Sequence, residues 1–554
     1  MSMTEPIDLP EGYYLDNFLQ LVSTVGERYS DLLDPTDQAF LAQFRQLSTT
    51  AARLLVRLYI RKGPVFRVNR LAYPDVGAIG PAVAELIEAG LLDPAPDLTA
   101  AQIVRLLTLA DLKHWPWNPD PRLSKAALLD HAARIPDLGS PDYWHITEPL
   151  VARCHDAALR RLQLMYFGNG RQSLTDFVLS DLGVFRYERY PLGRAQRWFQ
   201  EPADINQTLQ LMDLREQYYQ AIETKSDESL PALADACLAI TWRPRVQERA
   251  FRLMNQLGFR LEQSGDWTRA MTLFGTNDAP PARERRCRLL YKLEHYTACW
   301  EALQPVLDAP QDASEARFGL RFQPRLARKL KRPVLRVLAP TVAEYRVEWH
   351  PAAAMSVEQL ACSHLNDAVW LENQLPLAIF TLVHWSWWFA DVPGAFHHPF
   401  QSGPADIYQP DFLQRRGTDR LHLYQTLTRQ TARQHLEQNI REKTGLQNPF
   451  FGWSGGLDTS VLLRCFDAVP WPHWVAIFQH LWLDLKRHRS GFPDLFQFLP
   501  GGYRFIEIKG PGDRLQDNQR DWLGVFNEHG IPAEVWYVDY ATPGDNTPAD
   551  DAVS

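Results

Sequence analysis

The sequence predicts a mostly α-helical, multi-domain chain that ends in an α/β core. Three observations carry that expectation. Apolar residues recur at helical spacing through most of the first 345 residues. Gly265-Asp266-Trp267-Thr268-Arg269-Ala270 is echoed by Glu294-His295-Tyr296-Thr297-Ala298-Cys299 at an offset of 29, each copy after an amphipathic helix. The last stretch before the tail alternates strand (503–509), helix (517–529) and strand (533–540), the rhythm of a βαβ unit.

Taken in order, residues 12–62 read as helices, with apolar positions at Tyr14, Phe18, Leu21 and Val22 and again at Leu54, Leu55, Leu58 and Tyr59. A β-like run, Pro64 to Val68, precedes a helix from Ile79 to Ala89 stopped by Gly90, which together suggest a winged-helix-like module. Residues 98–135 give two short helices around Trp115-Pro116-Trp117-Asn118-Pro119, with Thr99 and Ser124 as caps. Two helices split by an extended, Pro-bearing link resemble a SAP module, a small DNA-binding helix pair. Residues 140–345 read as almost entirely helical, a solenoid of helix pairs. A long apolar helix is expected from Asp367 to Phe389, then a Pro/Gly-rich loop, 393–410, and helices at 419–443, 458–467 and 471–487. The expected domains are therefore 1–95 (winged-helix-like), 96–140 (SAP-like), 141–354 (helical repeats) and 355–541 (α/β core), with a disordered tail at 542–554.

Composition narrows the class. Hydrophobic residues at 45% and charged residues at 22% are ordinary for a globular chain and exclude wholesale disorder and fibrous classes. No apolar run reaches the roughly 18 residues a membrane span needs, and residues 1–11 show no signal-peptide pattern. The six cysteines are scattered with no C-x-x-C pair, as expected of reduced core thiols in a cytoplasmic protein. Net charge is −8, yet the charge is uneven. Arg53 to Arg70 holds six basic residues and no acid, and Arg317 to Arg336 holds eight and no acid. Such blocks can form a track for phosphates, with Arg57, Arg61 and Lys62 in the first and Arg325, Lys329 and Arg332 in the second as candidates. The plainer alternative for each block is a solvated helix face.

The strongest chemical signal is Gly491-Phe492-Pro493-Asp494, followed thirteen residues on by Glu507-Ile508-Lys509. On a strand, Phe505, Glu507 and Lys509 share one face, so a carboxylate and an ammonium sit about 6.5–7 Å apart along it. A hairpin-like return brings Asp494 next to Glu507. Two carboxylates and a backbone carbonyl make an oxygen-rich pocket for a hard divalent cation such as Mg²⁺ or Mn²⁺. Such a cation polarises a phosphodiester and lowers the pKa of a bound water, while the lysine stabilises the developing charge. This is the P-D…(D/E)-x-K arrangement of restriction-endonuclease-like nuclease cores. The plainer alternative is a strand-surface ion pair between Glu507 and Lys509. The Gly510-Pro511-Gly512 turn and the helix bearing Gln519, both at the expected places, favour the site.

Arg489-Ser490-Gly491-Phe492-Pro493-Asp494-Leu495 and Ile506-Glu507-Ile508-Lys509-Gly510-Pro511-Gly512-Asp513-Arg514-Leu515, with Asp517-Asn518-Gln519, closely resemble a VRR-NUC nuclease domain. Within that class the chain resembles a Fanconi-associated nuclease of the bacterial type. Tyr13-Tyr14-Leu15 with Phe18, Phe44-Arg45-Gln46-Leu47-Ser48 and Leu55 to Lys62 extend the resemblance to nearly the whole chain. The resemblance implies a structure-selective, divalent-metal-dependent nuclease that cuts near 5′ flaps, digests 5′ to 3′ and acts in interstrand crosslink repair. It implies Asp494, Glu507, the Ile508 carbonyl and Glu372 as metal ligands, Lys509 as the catalytic lysine and Gln519 as a helper. Lys486, Arg487, Arg489 and Arg514 are candidates for gripping the scissile strand or a 5′ phosphate. The expected partner is branched or 5′-flap DNA, with no membrane and no small-molecule cofactor. No Cys/His cluster precedes the matching region, so no ubiquitin-binding finger is expected, and the expected location is the cytoplasm, on the nucleoid when acting.

Two rivals remain. A Holliday-junction resolvase would share the catalytic core but not the long helical N-terminal part. A DNA-binding scaffold with a silent centre would need a broken motif, whereas every candidate ligand is present.

Overall fold

The structure is a computed structural model, and it describes residues 11–108, 122–124, 127, 146, 148–172, 174, 185–335, 341–350, 355–453 and 458–540. Most of the SAP-like segment and the tail after 541 lie outside the described residues. The chain divides into two compact units, one of residues 1–185 with 192–209, the other of 186–191 with 210–554.

The first unit begins with α1 (Tyr13–Arg28), α2 (Pro35–Arg45) and α3 (Thr49–Ile60), each opening where the sequence supplies a stop to the previous one. Asp34 caps α2 in a capping box with Asp37, and Ser48 caps α3. Their inward stripe buries Phe18, Phe40, Phe44, Leu54, Leu55 and Leu58. β1 (Val65–Arg67), α4 (Ile79–Glu88) and β2 (Leu92–Asp93) follow, then α5 (Ala100–Leu106), which opens after Thr99 as its cap residue predicts. The sheet is completed from far along the chain. β3 (Leu150–Arg153) lies between β1 and β2, antiparallel to both, where the sequence pattern predicts helix. The next helix, α6 (Asp156–Phe167), packs on α1 and α2 and sends Arg161 to the buried Asp37 at 3.0 Å. The correction has a simple cause: Leu-Val-Ala-Arg is too short to show a period, so pairing with β1 decides its state.

In the second unit come the helix pairs. α7 (Pro202–Glu223) straddles the division, and α8 (Leu230–Leu238), α9 (Pro244–Ser264), α10 (Trp267–Gly275), α11 (Ala282–Lys292), α12 (Tyr296–Asp308) and α13 (Ala313–Leu330) stack in order. The two sequence echoes are two copies of one turn. Gly265 and Glu294 both take left-handed φ, 94° and 62°. The next residue's N–H reaches back to Leu261 in the first copy and Leu290 in the second, each at 2.9 Å.

The α/β core holds a five-stranded mixed sheet in the order β4-β8-β7-β6-β5. Its strands are β4 (Ala343–Trp349), β5 (Ala368–Trp370), β6 (Leu495–Leu499), β7 (Gly502–Lys509) and β8 (Ala533–Tyr540). β4 and β7 flank β8 in parallel, and β6 joins β7 in an antiparallel hairpin. Helix α14 (Val357–His364) covers one face, where Ala361 meets Leu495, Ile506, Ile508 and Trp536. The other face buries Phe496 and Phe505 under a larger helical layer. That layer comprises α15 (Gln374–Val383), α16 (Trp385–Trp388), α17 (Leu423–Thr426), α18 (Arg429–Lys443), α19 (Thr459–Ala468), α20 (Trp471–Leu483), α21 (Leu485–His488) and α22 (Asp517–His529).

The structure corrects four expectations. The long helix from Asp367 to Phe389 is a strand, β5, then the helices α15 and α16. Asp367 and Glu372 adopt left-handed φ of 53° and 46°, which no helix accommodates, and the short run between them pairs with β6. The helix expected at 471–487 breaks at Asp484, whose carboxylate caps α21, and the one at 419–443 breaks between Thr426 and Arg429. The sheet also draws β4 from residues expected to be the end of the repeats.

Candidate active site

The β6–β7 hairpin builds the site. Leu495 pairs with Ile506, so one step further the backbone sets Asp494 beside Glu507, as the hairpin expectation has it. Asp494 accepts the Ile508 N–H at 2.8 Å through one carboxylate oxygen. Glu507 is 1% exposed, and its Oε1 receives Lys509 Nζ at 2.8 Å and Gln519 Nε2 at 2.6 Å. Gln519 is itself fixed, because its carbonyl oxygen takes the Gln516 N–H in the capping box that opens α22.

Glu372 reaches the same place through its backbone. The Leu371 and Glu372 N–H groups donate to the Asp494 carbonyl at 3.2 and 3.0 Å, and the Asn373 side chain accepts the Phe492 N–H at 3.1 Å. Its left-handed backbone is uncommon for a glutamate and is held by these bonds. Gly491, at φ 88°, allows the approach of α22: an added Cβ would lie 2.8 Å from Asn518. The expected residues Glu372, Asp494, Glu507, Lys509 and Gln519 are thus brought into one neighbourhood from three separate chain segments.

The electrostatics are those of a site short of positive charge. Burial, then the charge of Asp494, pushes the Glu507 carboxyl from 4.5 up to about 8, against the pull of Lys509. Burial pushes Asp494 from 3.8 up to about 6, with Glu358 and Glu372 adding to the rise and the Ile508 N–H and Lys509 opposing it. Glu358, half-buried in the first turn of α14, presses on both carboxylates. Sequence reasoning missed it. Its only signal is Ser356-Val357-Glu358-Gln359, a capping box that opens the helix covering the sheet.

Among the described residues no three acidic, histidine or cysteine side chains converge as a ready-made metal cage. The donor set nevertheless fits a hard divalent cation. Two carboxylates with raised pKa values, one half-buried and one buried, gain most from a nearby dication, and the Ile508 carbonyl belongs to the residue whose N–H orients Asp494.

The basic candidates divide. Lys486 and Arg487, with Arg317, Ser490 and residues 515–518, line a polar hollow of about 640 Å³ at the N-terminus of α22. Arg487 lies 3.5 Å from Asp521. Arg489 turns to the Tyr408 hydroxyl at 3.1 Å, and Arg514 is exposed in the β7–α22 loop. In the first unit Arg57 pairs with Asp75 at 3.0 Å over the Tyr14 ring, Arg61 donates to Tyr73 at 2.9 Å, and Lys62 is exposed. Arg325, Lys329 and Arg332 lie exposed along and just past the end of α13.

Comparison with known proteins agrees with this architecture. Residues 12–93 match the family "FAN1, HTH domain" and residues 427–540 match the VRR-NUC domain family. A Fanconi-associated nuclease 1 homolog of Pseudomonas aeruginosa is 36% identical over 96% of each chain. Human Fanconi-associated nuclease 1 is 21% identical over 95% of this chain and 62% of its own length. A crystal structure of paFAN1 bound to DNA with a two-nucleotide 5′ flap and a gap superposes with a TM-score of 0.84, at 35% identity, over 97% of this chain and all of that one. Among the described residues no helix is long and apolar enough to cross a membrane. Because the likeness runs through the repeats as well as both matched domains, the chain belongs to the Fanconi-associated nuclease family, and it is a divalent-metal-dependent nuclease.

Proposed function

We propose that the chain cuts DNA phosphodiesters at branched and 5′-flapped ends, trims 5′ to 3′, and serves the repair of interstrand crosslinks. The observation that carries this is the pairing of two carboxylates, half-buried Asp494 and buried Glu507, with Lys509 on the same strand face as Glu507, in a chain whose relative is solved on 5′-flap DNA.

Asp494, Glu507, the Ile508 carbonyl and Glu372 are the ligands we assign to Mg²⁺ or Mn²⁺, as one ion or two. When bound, the cation supplies Lewis-acid polarisation of the phosphodiester. Glu372 would add a further carboxylate, carried on a backbone already tied to Asp494. Lys509 releases from Glu507 to orient the attacking water and to stabilise the charge that develops on phosphorus oxygens. Gln519 holds Glu507 Oε1 and so fixes the carboxylate's direction.

Residues 1–95, 96–140 and 141–354 are assigned to holding the DNA and 355–541 to the chemistry. Arg57, Arg61, Lys62, Arg325, Lys329 and Arg332 are assigned to phosphates along the DNA. Lys486, Arg487, Arg489 and Arg514 are assigned to the cut strand or its 5′ phosphate. The polar hollow at a helix N-terminus supports Lys486 and Arg487 in particular. We assign the chain to the cytoplasm, on the nucleoid when acting.

Labelled 5′-flap, 3′-flap, splayed-arm and four-way substrates, each with Mn²⁺, Mg²⁺ or EDTA, test the assignment. Metal-dependent cutting is expected to favour the 5′ flap. A preference for symmetric cuts in four-way junctions would favour a resolvase instead, and no cutting with either ion would leave a DNA-binding scaffold.

A further inference from the structure

Helix α13 carries one stripe of cations with two different environments. Arg317, Arg321, Arg325 and Lys329 are four residues apart and Arg332 three further, so they lie on one face. The first two are neutralised by the active-site helix: Arg317 meets Asp517 at 3.1 Å and also Asp521, and Arg321 meets Asp517 at 2.9 Å. The next three have no carboxylate within ion-pair distance among the described residues. They sit instead over half-buried aromatic rings, Arg325 over Tyr291 at 4.5 Å, Lys329 over Tyr296 at 5.7 Å and Arg332 over Trp300 at 4.8 Å.

Helix packing alone does not call for this. A ring holds a cation in place but leaves its charge unbalanced, and like charges at four-residue spacing repel along a helix. A polyanion removes that cost. Duplex DNA would meet the charges but turn its base faces inward, leaving the rings nothing to stack on. A single strand offers both phosphates and base faces, and cations interleaved with aromatic rings are the means by which proteins hold one.

We propose that Arg325, Lys329 and Arg332 with Tyr291, Tyr296 and Trp300 form a site for unpaired DNA, along which the flap strand runs away from the active site. The proposal rests on the nuclease reading. The stripe begins where Arg317 and Arg321 meet α22, the helix whose Gln519 touches Glu507. From Arg321 to Lys329 the helix rises roughly 12 Å. At roughly 3.4 Å per stacked nucleotide that is a track of about three or four nucleotides. A flap of one nucleotide covers less of that track than a flap of eight.

The test uses the full chain in EDTA with two probes, a dT decamer and a 20-base-pair blunt duplex. In an Arg325→Gln/Lys329→Gln/Arg332→Gln variant, decamer affinity is expected to fall at least tenfold and its log–log salt slope by about 2, at roughly 0.7 per contact. Decamer affinity is expected to fall several-fold further than duplex affinity, and KM for an eight-nucleotide flap to rise several-fold further than KM for a one-nucleotide flap. On the wild-type chain, 5-iododeoxyuridine at the fourth flap position is expected to photocross-link to Tyr296 or Trp300, a readout that does not depend on how the variant folds. Equal loss on both probes would make the stripe a duplex phosphate track. Unchanged decamer binding, or cross-links only elsewhere, would overturn the site. A wild-type chain that cuts no flap would sink the nuclease reading, while the decamer and cross-link results would still decide the single-strand site.

Discussion

Replacing Glu507 by glutamine is expected to stabilise the metal-free protein while abolishing cleavage. The amide keeps an oxygen where Oε1 now accepts Lys509 and Gln519, so both hydrogen bonds survive. What is lost is a carboxyl whose ionised form the buried site disfavours. The folded chain raises this carboxyl from 4.5 to about 8, so it binds the proton more tightly than the unfolded chain does. The carboxyl's contribution to stability is complete below its unfolded value and is lost as pH rises toward about 8. At pH 7.5 the wild type has lost about 3 units of this linkage, or roughly 4 kcal/mol at 1.36 kcal/mol per unit. The variant has nothing to titrate there. Roughly 2–4 °C per kcal/mol for a domain of this size gives a melting difference on the order of 10 °C at pH 7.5 and little at pH 5. Circular dichroism melts in EDTA at the two pH values read it. Adding Mn²⁺ is expected to narrow the gap, because the wild type gains about 2.7 kcal/mol at a hundredfold excess over Kd and the variant gains little. Equal melting at pH 7.5, or equal Mn²⁺ stabilisation of both proteins, would refute the account of Glu507 as an uncompensated ligand.

Other outcomes follow from the same geometry. Asp494→Ala is expected to abolish flap cleavage with DNA affinity nearly intact, and turnover near wild type would break the site assignment. Lys509→Ala is expected to lose most of the rate yet keep Mn²⁺ binding in calorimetry, because the lysine acts on the water and the developing charge. Gly491→Ala forces a Cβ to within 2.8 Å of Asn518 at φ 88°, so it is expected to cost about 1–3 kcal/mol and to lower kcat by shifting Asp494. A chain cut to begin at Ser356 would lack β4 and bare the edge of β8, whereas one beginning at Thr341 would keep all seven β4–β8 pairs. The longer fragment is expected to melt higher and aggregate less; equal melting would mean that β4 adds nothing to the core.

The sequence by itself determined which candidate side chains lie together and the elements that are long or strongly patterned. Asp494, Glu507 and Lys509 are legible because a strand's two-residue period puts Glu507 and Lys509 on one face, and a hairpin has few ways to return Asp494. The α22 and β8 boundaries at 517–529 and 533–540 are also read correctly, since each is long enough to show its period. Tertiary structure decided what local pattern could not. Leu150–Arg153 and Ala368–Trp370 are strands only because β1, β2 and β6 offer them hydrogen-bonding edges. Glu372 is on no helix; its left-handed backbone exists because the Asp494 carbonyl, more than a hundred residues away, holds its N–H. Glu358 enters the site's field only once α14 is laid over the sheet. The basic block at Arg317–Arg336 reads as uniform charge, and only packing against α11, α12 and α22 divides it into paired cations and cations stacked on rings. Burial and long-range pairing set these outcomes, and both depend on what the rest of the chain brings alongside rather than on the order of neighbouring residues.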